Sequence, residues 1–326
     1  MPLMIDGQLY HPKENVMQLV EDYPKFKDEA AAFCTKPVHH CEAIDLLYVN
    51  QREYAVTIPS DNIVKILGSD DATTCHIIVL RHSGSGATAL AHLDGHGIEG
   101  GIANMLASIL TLSTGCSEGR LELHIFGGFC DSRGESVEIS ANVFSIFHKC
   151  VHDIHLVTAC MSELNDTVKD GIHWPILYGV AVNVNSGEIF PASFADKGPD
   201  KPLRSVYTLF GNHHMRNVYD HSSGLHMISP FTYRAMPYIS NWLLQPDSFI
   251  REHLSTSPEV EPPYFEEGIR DAIRWVMNHP HPTLTVFPGN KPRVYTKNQH
   301  GLWVDYSQAS DDRSSSMSTS SSMSSS

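Results

Sequence analysis

The chain has 326 residues, 41% of them hydrophobic and 18% charged, with a formal net charge of −14 at pH 7. That length can bury a sizeable core without disulfide or metal staples, and the acidic balance argues against nucleic acid or an anionic membrane as the main partner. No apolar run approaches the roughly 20 residues that span a bilayer.

The start, "MPLMIDGQLY", lacks the basic region and apolar block of a secretory signal. A reducing cytoplasmic setting, with the nucleus as a second compartment, is therefore expected. Within it, "LMIDGQLY" reads as a hairpin around Asp6-Gly7. The stretches "AIDLLYVN", "EYAVTIP" and "IVKILG" read as short strands broken by turn residues, and "HIIVLRHSGSGATALAHLDG" as strand, Ser/Gly turn, strand. Residues 101–112 place Ile102, Met105, Leu106, Ile109 and Leu110 on one helical face. "RLELHIFGG" is a strand ending in a glycine pair, "ESVEISANVFSIFHKC" an amphipathic helix, and "DIHLVTAC" and "PILYGVAVNV" buried strands. "YFEEGIRDAIRWVMNHP" predicts a helix that starts after Pro262-Pro263 and stops at Pro280.

Strands outnumber helices, and the helices are too clustered for regular βα alternation. An α+β fold is predicted, with largely antiparallel or mixed sheets and helices on their faces. No linker interrupts residues 1–306, which read as one domain. Residues 307–326 form a serine tract that cannot bury enough apolar surface to order itself.

Seven cysteines, at 34, 41, 75, 116, 130, 150 and 160, include no CxxC pair. Disulfides and a structural zinc site are not expected; most of the thiols should be buried apolar groups. The twenty histidines contain no HExxH and no Cys/His ligand grouping, so no metal is expected.

Cys75 stands apart. It follows Ser69, Asp70, Asp71, Thr73 and Thr74 and precedes the apolar run Ile77–Leu80, so it sits where a turn meets a strand. A nucleophilic thiol needs a base nearby. His76 is adjacent and points to the opposite face of a strand; His82 lies at the strand's far end. His96 falls beyond Gly95. His92 fits by parity. A two-residue turn at Ser83-Gly84 makes opposed residue numbers sum to 167 and sets Cys75 directly against His92. A four-residue turn, Ser83 to Gly86, makes the sum 169, with Asp94 opposite Cys75 and His92 as its same-face diagonal neighbour. Both place the pair within about 5–8 Å; an odd loop or a bulge would separate them. A protonated His92 beside Cys75 would favour the thiolate.

Two resemblances add to this reading. Cys75, His92 seventeen residues on, Ser69 six residues before the cysteine and the strand end Gly127-Gly128 resemble the bacterial chemoreceptor glutamine deamidases, thiol amidases built on an α/β/β sandwich. That family carries threonine at the Ser69 position and Leu-Gly-Ser directly before its cysteine. Here Leu67-Gly68-Ser69 lies upstream, and Ala72-Thr73-Thr74 precedes the thiol. A longer match is "ILGSDDATTCHIIVLRH", "GATALAHLDG", "DIHLVTACMSELND", "LSTSPEVEPPYFEEGIR" and "FPGNK…GLW". Over essentially residues 1–306 these resemble the eukaryotic protein N-terminal asparagine amidohydrolase family.

The resemblance implies deamidation of N-terminal asparagine in proteins and peptides to aspartate, releasing ammonia and feeding ubiquitin-dependent degradation. It implies Cys75 as nucleophile, His92 as acid–base and Ser69 as the third catalytic residue. Backbone N–H groups near Cys75, with a Ser69 or Thr74 hydroxyl, would hold the oxyanion. Neither metal nor organic cofactor is required, and a monomer is expected. Asp70, Asp71, Asp94 and Asp131 are candidates for binding the substrate α-ammonium, although aspartates in turns more often cap backbone. A cysteine peptidase, a transglutaminase-like enzyme and a non-catalytic binder of N-termini are the rival readings.

Overall fold

The apolar runs become strands in the expected order in the computed structural model, which describes residues 3–11, 16–234 and 236–307. The opening hairpin is β1 (Leu3–Ile5) and β2 (Gln8–Leu9), turning through Asp6 and Gly7 at positive φ. Helices α1 (Val16–Asp22) and α2 (Lys25–Cys34) follow. Next come β3 (His39–Cys41), β4 (Leu46–Tyr48), β5 (Glu53–Thr57), β6 (Ile66–Ser69), β7 (His76–His82) and β8 (Thr88–Leu93). Then α3 (Ile98–Leu112) and α4 (Glu135–Lys149) alternate with β9 (Leu121–Gly127) and β10 (Ile154–Met161). The hairpin β11 (Asp166–Lys169) and β12 (Ile172–Pro175) precedes β13 (Val180–Asn183) and β14 (Ile189–Phe194). The last third holds α5 (Lys201–Phe210), β15 (Arg216–Asn217), β16 (Tyr219–Asp220), β17 (Leu225–Ile228), α6 (Asp247–Leu254), α7 (Phe265–Asn278), α8 (Pro282–Thr285), β18 (Arg293–Lys297) and β19 (Trp303–Asp305).

An eight-stranded mixed sheet, ordered β15-β5-β8-β7-β9-β10-β1-β2, forms the centre. Strand β7 is antiparallel to both neighbours, and its continuous apolar run suits a strand covered on both faces. One face carries Ile78, Leu80, Ala89, Ala91 and Leu93 against Ile102, Met105 and Ile109 of α3 and Val143, Phe144 and Phe147 of α4. The other carries Ile77, Val79, Leu90 and Ala55 against Leu67, Val180 and Val182. These last belong to a second sheet, ordered β3-β14-β13-β6-β4. Helices, sheet and sheet thus stack as an α/β/β sandwich.

A third core joins α5, α6 and α7, through Leu203, Val206, Ile250, Ile269, Ile273 and Val276, to Tyr295 of the antiparallel sheet β16-β17-β18-β19. In α7 the buried residues recur as Glu266, Ile269, Ala272, Ile273 and Val276, a helical period, and the helix begins and ends beside the expected prolines.

Several expectations need correcting. The helices at 16–22, 25–34, 201–210 and 247–254 lie where the sequence reading places none. The strand expected from Pro175 begins only at Val180, because the Leu177 N–H is taken by the Asn165 side chain at 2.9 Å. All seven cysteines are free thiols, but only Cys160 is buried; Cys116 is exposed and the other five are half-buried. Several sit at element ends, such as Cys34 closing α2. The serine tract lies outside the described residues except Ser307, whose N–H donates to Asp305 at 2.9 Å. Among the described residues no helix is long and apolar enough to cross a membrane.

Candidate active site

The β7–β8 hairpin takes the four-residue turn. His82 and Ala87 close it, with the Gly86 N–H donating to the His82 carbonyl at 2.8 Å. Paired numbers sum to 169, as in Ile77 with His92 and His76 with Leu93. Cys75, one residue before β7, therefore continues the Ile77–Val79 face toward the second sheet, with His92 diagonal to it. The glycine pair at the end of β9 makes this approach possible. The Gly128 N–H donates to the Cys75 carbonyl at 2.9 Å. Gly127 has φ 96°, and a Cβ there would come within 2.6 Å of the Cys75 carbonyl oxygen. Only glycine fits that seat.

His92 is 2% exposed. Its Nδ1 lies 2.8 Å from Ser69 Oγ, while its Nε2 is buried without a hydrogen-bond partner. Ser69 is the last residue of β6, on the second sheet, so this bond crosses the sheet–sheet interface. The Arg52 N–H donates to the His92 carbonyl at 3.0 Å and fixes the strand there. The other histidines fall as parity requires. His76 points into the helical layer and meets Ser140 Oγ of α4 at 2.9 Å. His82 is 3.1 Å from Ser85 Oγ in the turn. His96, beyond the paired region, stacks on His213.

Cys75 and His92 line one cavity of about 520 Å³ at the junction of the two sheets with α5 and α7. Lys201 and Thr208 of α5, and Phe265 and Gly268 of α7, form its outer wall. The cavity is rich in charge. Asp94 is bound by Arg52 at 2.7 Å and by Gln51 at 3.1 Å. Asp70 accepts from Tyr48 at 2.9 Å and from Lys197, and Asp71 accepts from Tyr264 at 2.5 Å and Lys197 at 3.2 Å. Asp131 is elsewhere. Its carboxylate accepts the Glu135 and Ser136 N–H groups at 3.0 and 2.9 Å in the first turn of α4, so the capping alternative accounts for it.

The sequence reading missed Glu261. This carboxylate lines the cavity and accepts from Ser255 Oγ at 2.5 Å. The signal lay inside "LSTSPEVEPPYFEEGIR", whose helix drew attention away from the loop before it.

Burial governs the ionisation of these groups. It holds His92 down to about 4, against the pull of Asp94 and Asp71. It pushes the Cys75 thiol well up, and Asp94 and Glu261 push it further. Burial thus disfavours the charged form of each group, and so works against the thiolate–imidazolium pair expected from sequence. Burial also lifts Glu261 to about 7 and lowers Lys201 to about 8. For Asp94, burial alone would raise the carboxyl, but hydrogen bonds and charge from Arg52 bring it below its usual range.

An α/β/β sandwich that brings a cysteine, a histidine and a serine together where its two sheets meet is the class this molecule occupies. Residues 36–305 match the family model described as protein N-terminal asparagine amidohydrolase, and the chain belongs to that family. Among curated relatives carrying that name, the one from Sus scrofa is 44% identical over 307 residues, 94% of this chain and 98% of the relative. The Homo sapiens protein is 43% identical over 93% of this chain and 97% of its own length. The Arabidopsis thaliana protein is 29% identical over 79% of this chain and 80% of its own.

Proposed function

We propose that this chain hydrolyses the side-chain amide of an N-terminal asparagine, with Cys75 as nucleophile, His92 as general acid–base and Ser69 orienting the imidazole. The observation carrying this reading is the convergence of Cys75 and His92 on one cavity, with Ser69 on the far nitrogen of His92, in a member of a family bearing that name. When Nδ1–H donates to Ser69, the buried Nε2 presents its lone pair and can take the thiol proton. The sulfur adds to the carboxamide carbon, His92 returns the proton to departing ammonia, and the thioester forms. Water, deprotonated by His92, then releases aspartate and the free thiol. Peptide asparagine and water give peptide aspartate and ammonia.

The resting charge state gives the substrate a part in activation. Glu261 raises the Cys75 thiol, and burial keeps Glu261 itself partly protonated near neutrality. An α-ammonium beside Glu261 would favour its ionised form and offset its effect on the thiol. Binding of the correct N-terminus would then ease formation of the thiolate, with burial and Asp94 still acting on it, and an acetylated terminus would not. An N-terminal glutamine would be rejected by position, because one more methylene displaces the carbonyl from the sulfur and an offset of about 1 Å can cost ~100-fold.

The test is mass spectrometry, with ammonia detection, on peptides beginning with Asn, Gln or acetyl-Asn, or carrying Asn internally. Only the first should show amide-to-acid conversion. Backbone cleavage would favour a peptidase, amine incorporation a transglutaminase-like enzyme, and retained binding without turnover a recognition module.

A further inference from the structure

A second cluster of reactive side chains lies on the far side of the glycine pair. Cys130 follows Gly127-Gly128 by two residues, Asp166 opens β11, and His173 lies on β12. One ligand atom from each falls within 4.8 Å of the others. None of the three lines the cavity that holds Cys75, and the proposed deamidation uses none of them. We propose that Cys130, Asp166 and His173 form a binding site for a divalent transition-metal ion of the zinc class.

The fold builds this group. In the β11–β12 register, Asp166 pairs with Pro175 and Val168 with His173, so Asp166 and His173 are same-face diagonal neighbours. Asp166 is oriented as a ligand would be: one oxygen accepts the Cys130 N–H at 3.0 Å, and the other meets His173 Nδ1 at 2.6 Å. A ligand carboxylate held by a backbone N–H is the usual outer support of a metal site.

The setting is negative. Besides Asp166, the carboxylates of Glu163 and Asp131 act on the Cys130 thiol, and Glu163 Oε2 is buried without a hydrogen-bond partner. One sulfur, one nitrogen and one oxygen are a zinc-type donor set, whereas calcium and magnesium prefer oxygen alone. Tetrahedral zinc would set these donors about 3.3–3.6 Å apart. His173, 47% exposed, can move that far, and its N–H···O bond to Asp166 would open to admit the ion. Binding replaces the thiol proton, and water completes the coordination.

The ion would staple the β11–β12 hairpin to the segment behind Cys75. Asn165, immediately before Asp166, already ties that hairpin to the Gly128 carbonyl at 2.8 Å. The site's role would be to stabilise this seat. No sequence motif announces it, since its members are 36 and 7 residues apart on three elements.

The experiment uses the full chain, freed of metal by chelation, in a Cys75→Ala background that removes the thiol of the proposed active site, and Cys130→Ser controls for the remaining thiols. Cobalt(II) chloride should give a near-ultraviolet thiolate-to-cobalt band saturating at one equivalent, and zinc chloride should displace it. Cys130→Ser should abolish the band. His173→Ala, at an exposed position that does not threaten folding, should weaken zinc binding at least ~10-fold and abolish the zinc-induced rise in melting temperature. Absence of the band in the Cys75→Ala protein, its persistence in Cys130→Ser, or unchanged zinc affinity in His173→Ala would each overturn the site.

Discussion

His76 and His92 sit on adjacent strands of one hairpin and look alike by every local measure. They are 0% and 2% exposed. Each meets a serine hydroxyl, at 2.9 and 2.8 Å, and burial depresses each to about 4. They differ in what lies beyond. His76 enters a polar chain in the helical layer, where Ser140 also meets Ser162 at 2.8 Å and the Ser136 carbonyl at 2.9 Å. Each keeps a second nitrogen without a hydrogen-bond partner, but only His92 shares a charged cavity with a thiol. Burial and a shifted pKa are common to structural and chemical histidines. Access, and a thiol on the same face, separate them.

The strongest test of that contrast is the thiol. Cys75→Ala should lower turnover of Asn-initiated peptides by roughly 10⁴-fold or more while leaving the circular dichroism spectrum intact. Cys34, Cys41, Cys116, Cys130, Cys150 and Cys160, changed one at a time to Ala, should keep most of it. Wild-type turnover in Cys75→Ala would move the nucleophile elsewhere and remove the reason for treating the two faces differently.

The two histidines should then fail in opposite ways. His92→Ala should cut kcat by ~10²–10⁴-fold with a modest change in melting temperature. His76→Ala should destabilise by about 2–4 kcal/mol, through a cavity and a broken hydrogen bond, yet leave the folded fraction turning over normally. Loss of kcat in both, or in His76→Ala alone, would mean that the faces have been assigned the wrong way round.

This contrast was half legible in the sequence. Parity along β7 and β8 separated His76 from His92 without coordinates, because a strand's side chains alternate and a hairpin fixes the sum of its partners. Short local elements with apolar faces, such as α3 and α7, were equally readable. What could not be read depends on distant segments meeting. Ser69 was supplied by the family resemblance, but its contact with His92 exists only because a second sheet packs on the first. Glu261 reaches the cavity from a loop nearly two hundred residues beyond Cys75. Helices α2 and α5 were readable in principle, since Phe26, Ala30 and Phe33 in one and Leu203, Val206, Tyr207 and Phe210 in the other keep helical spacing. The effect of burial on the ionisation of Cys75 and His92 could not be read either, since burial is a property of the whole fold.

Glu261 offers a subtler break. Glu261→Gln should lower kcat/KM for Asn-initiated peptides by about 10–100-fold, the scale of one lost charge-assisted interaction. It should also stabilise the free protein at the same time. Burial lifts this carboxyl from its ordinary 4.5 to about 7, so the folded state holds its proton more tightly than the unfolded chain does. The associated stability is full below about 4.5 and is lost as pH rises through about 7. The variant should therefore melt above wild type at pH 8, and the gap should close at pH 4.5. An unchanged kcat/KM would release Glu261 from substrate binding, while a pH-independent gap in melting temperature would mean that its carboxyl is not held protonated.

The smallest effects belong to the two serines, which finish the comparison. Ser69→Ala removes one neutral hydrogen bond to a buried imidazole, worth about 1 kcal/mol, whereas Ser140→Ala also removes the contacts with Ser162 and the Ser136 carbonyl. The readouts should differ because the bonds serve different ends. In the proposed mechanism Ser69 accepts from Nδ1–H and so keeps the lone pair of His92 on Nε2, toward the cavity. Without that hydroxyl the proton has no partner at Nδ1, and the ring spends part of its time with the proton on Nε2, where it cannot accept from the thiol. Ser69→Ala should therefore lower kcat by roughly 3–10-fold, with KM unchanged, since the serine positions the base and does not touch substrate. Ser69→Thr keeps the hydroxyl and should recover more of kcat than the alanine variant does. Ser140→Ala should lower the melting temperature and leave kcat alone. If Ser69→Ala turns over at the wild-type rate, the bond across the sheet interface is only packing, and His92 holds its tautomer by other means.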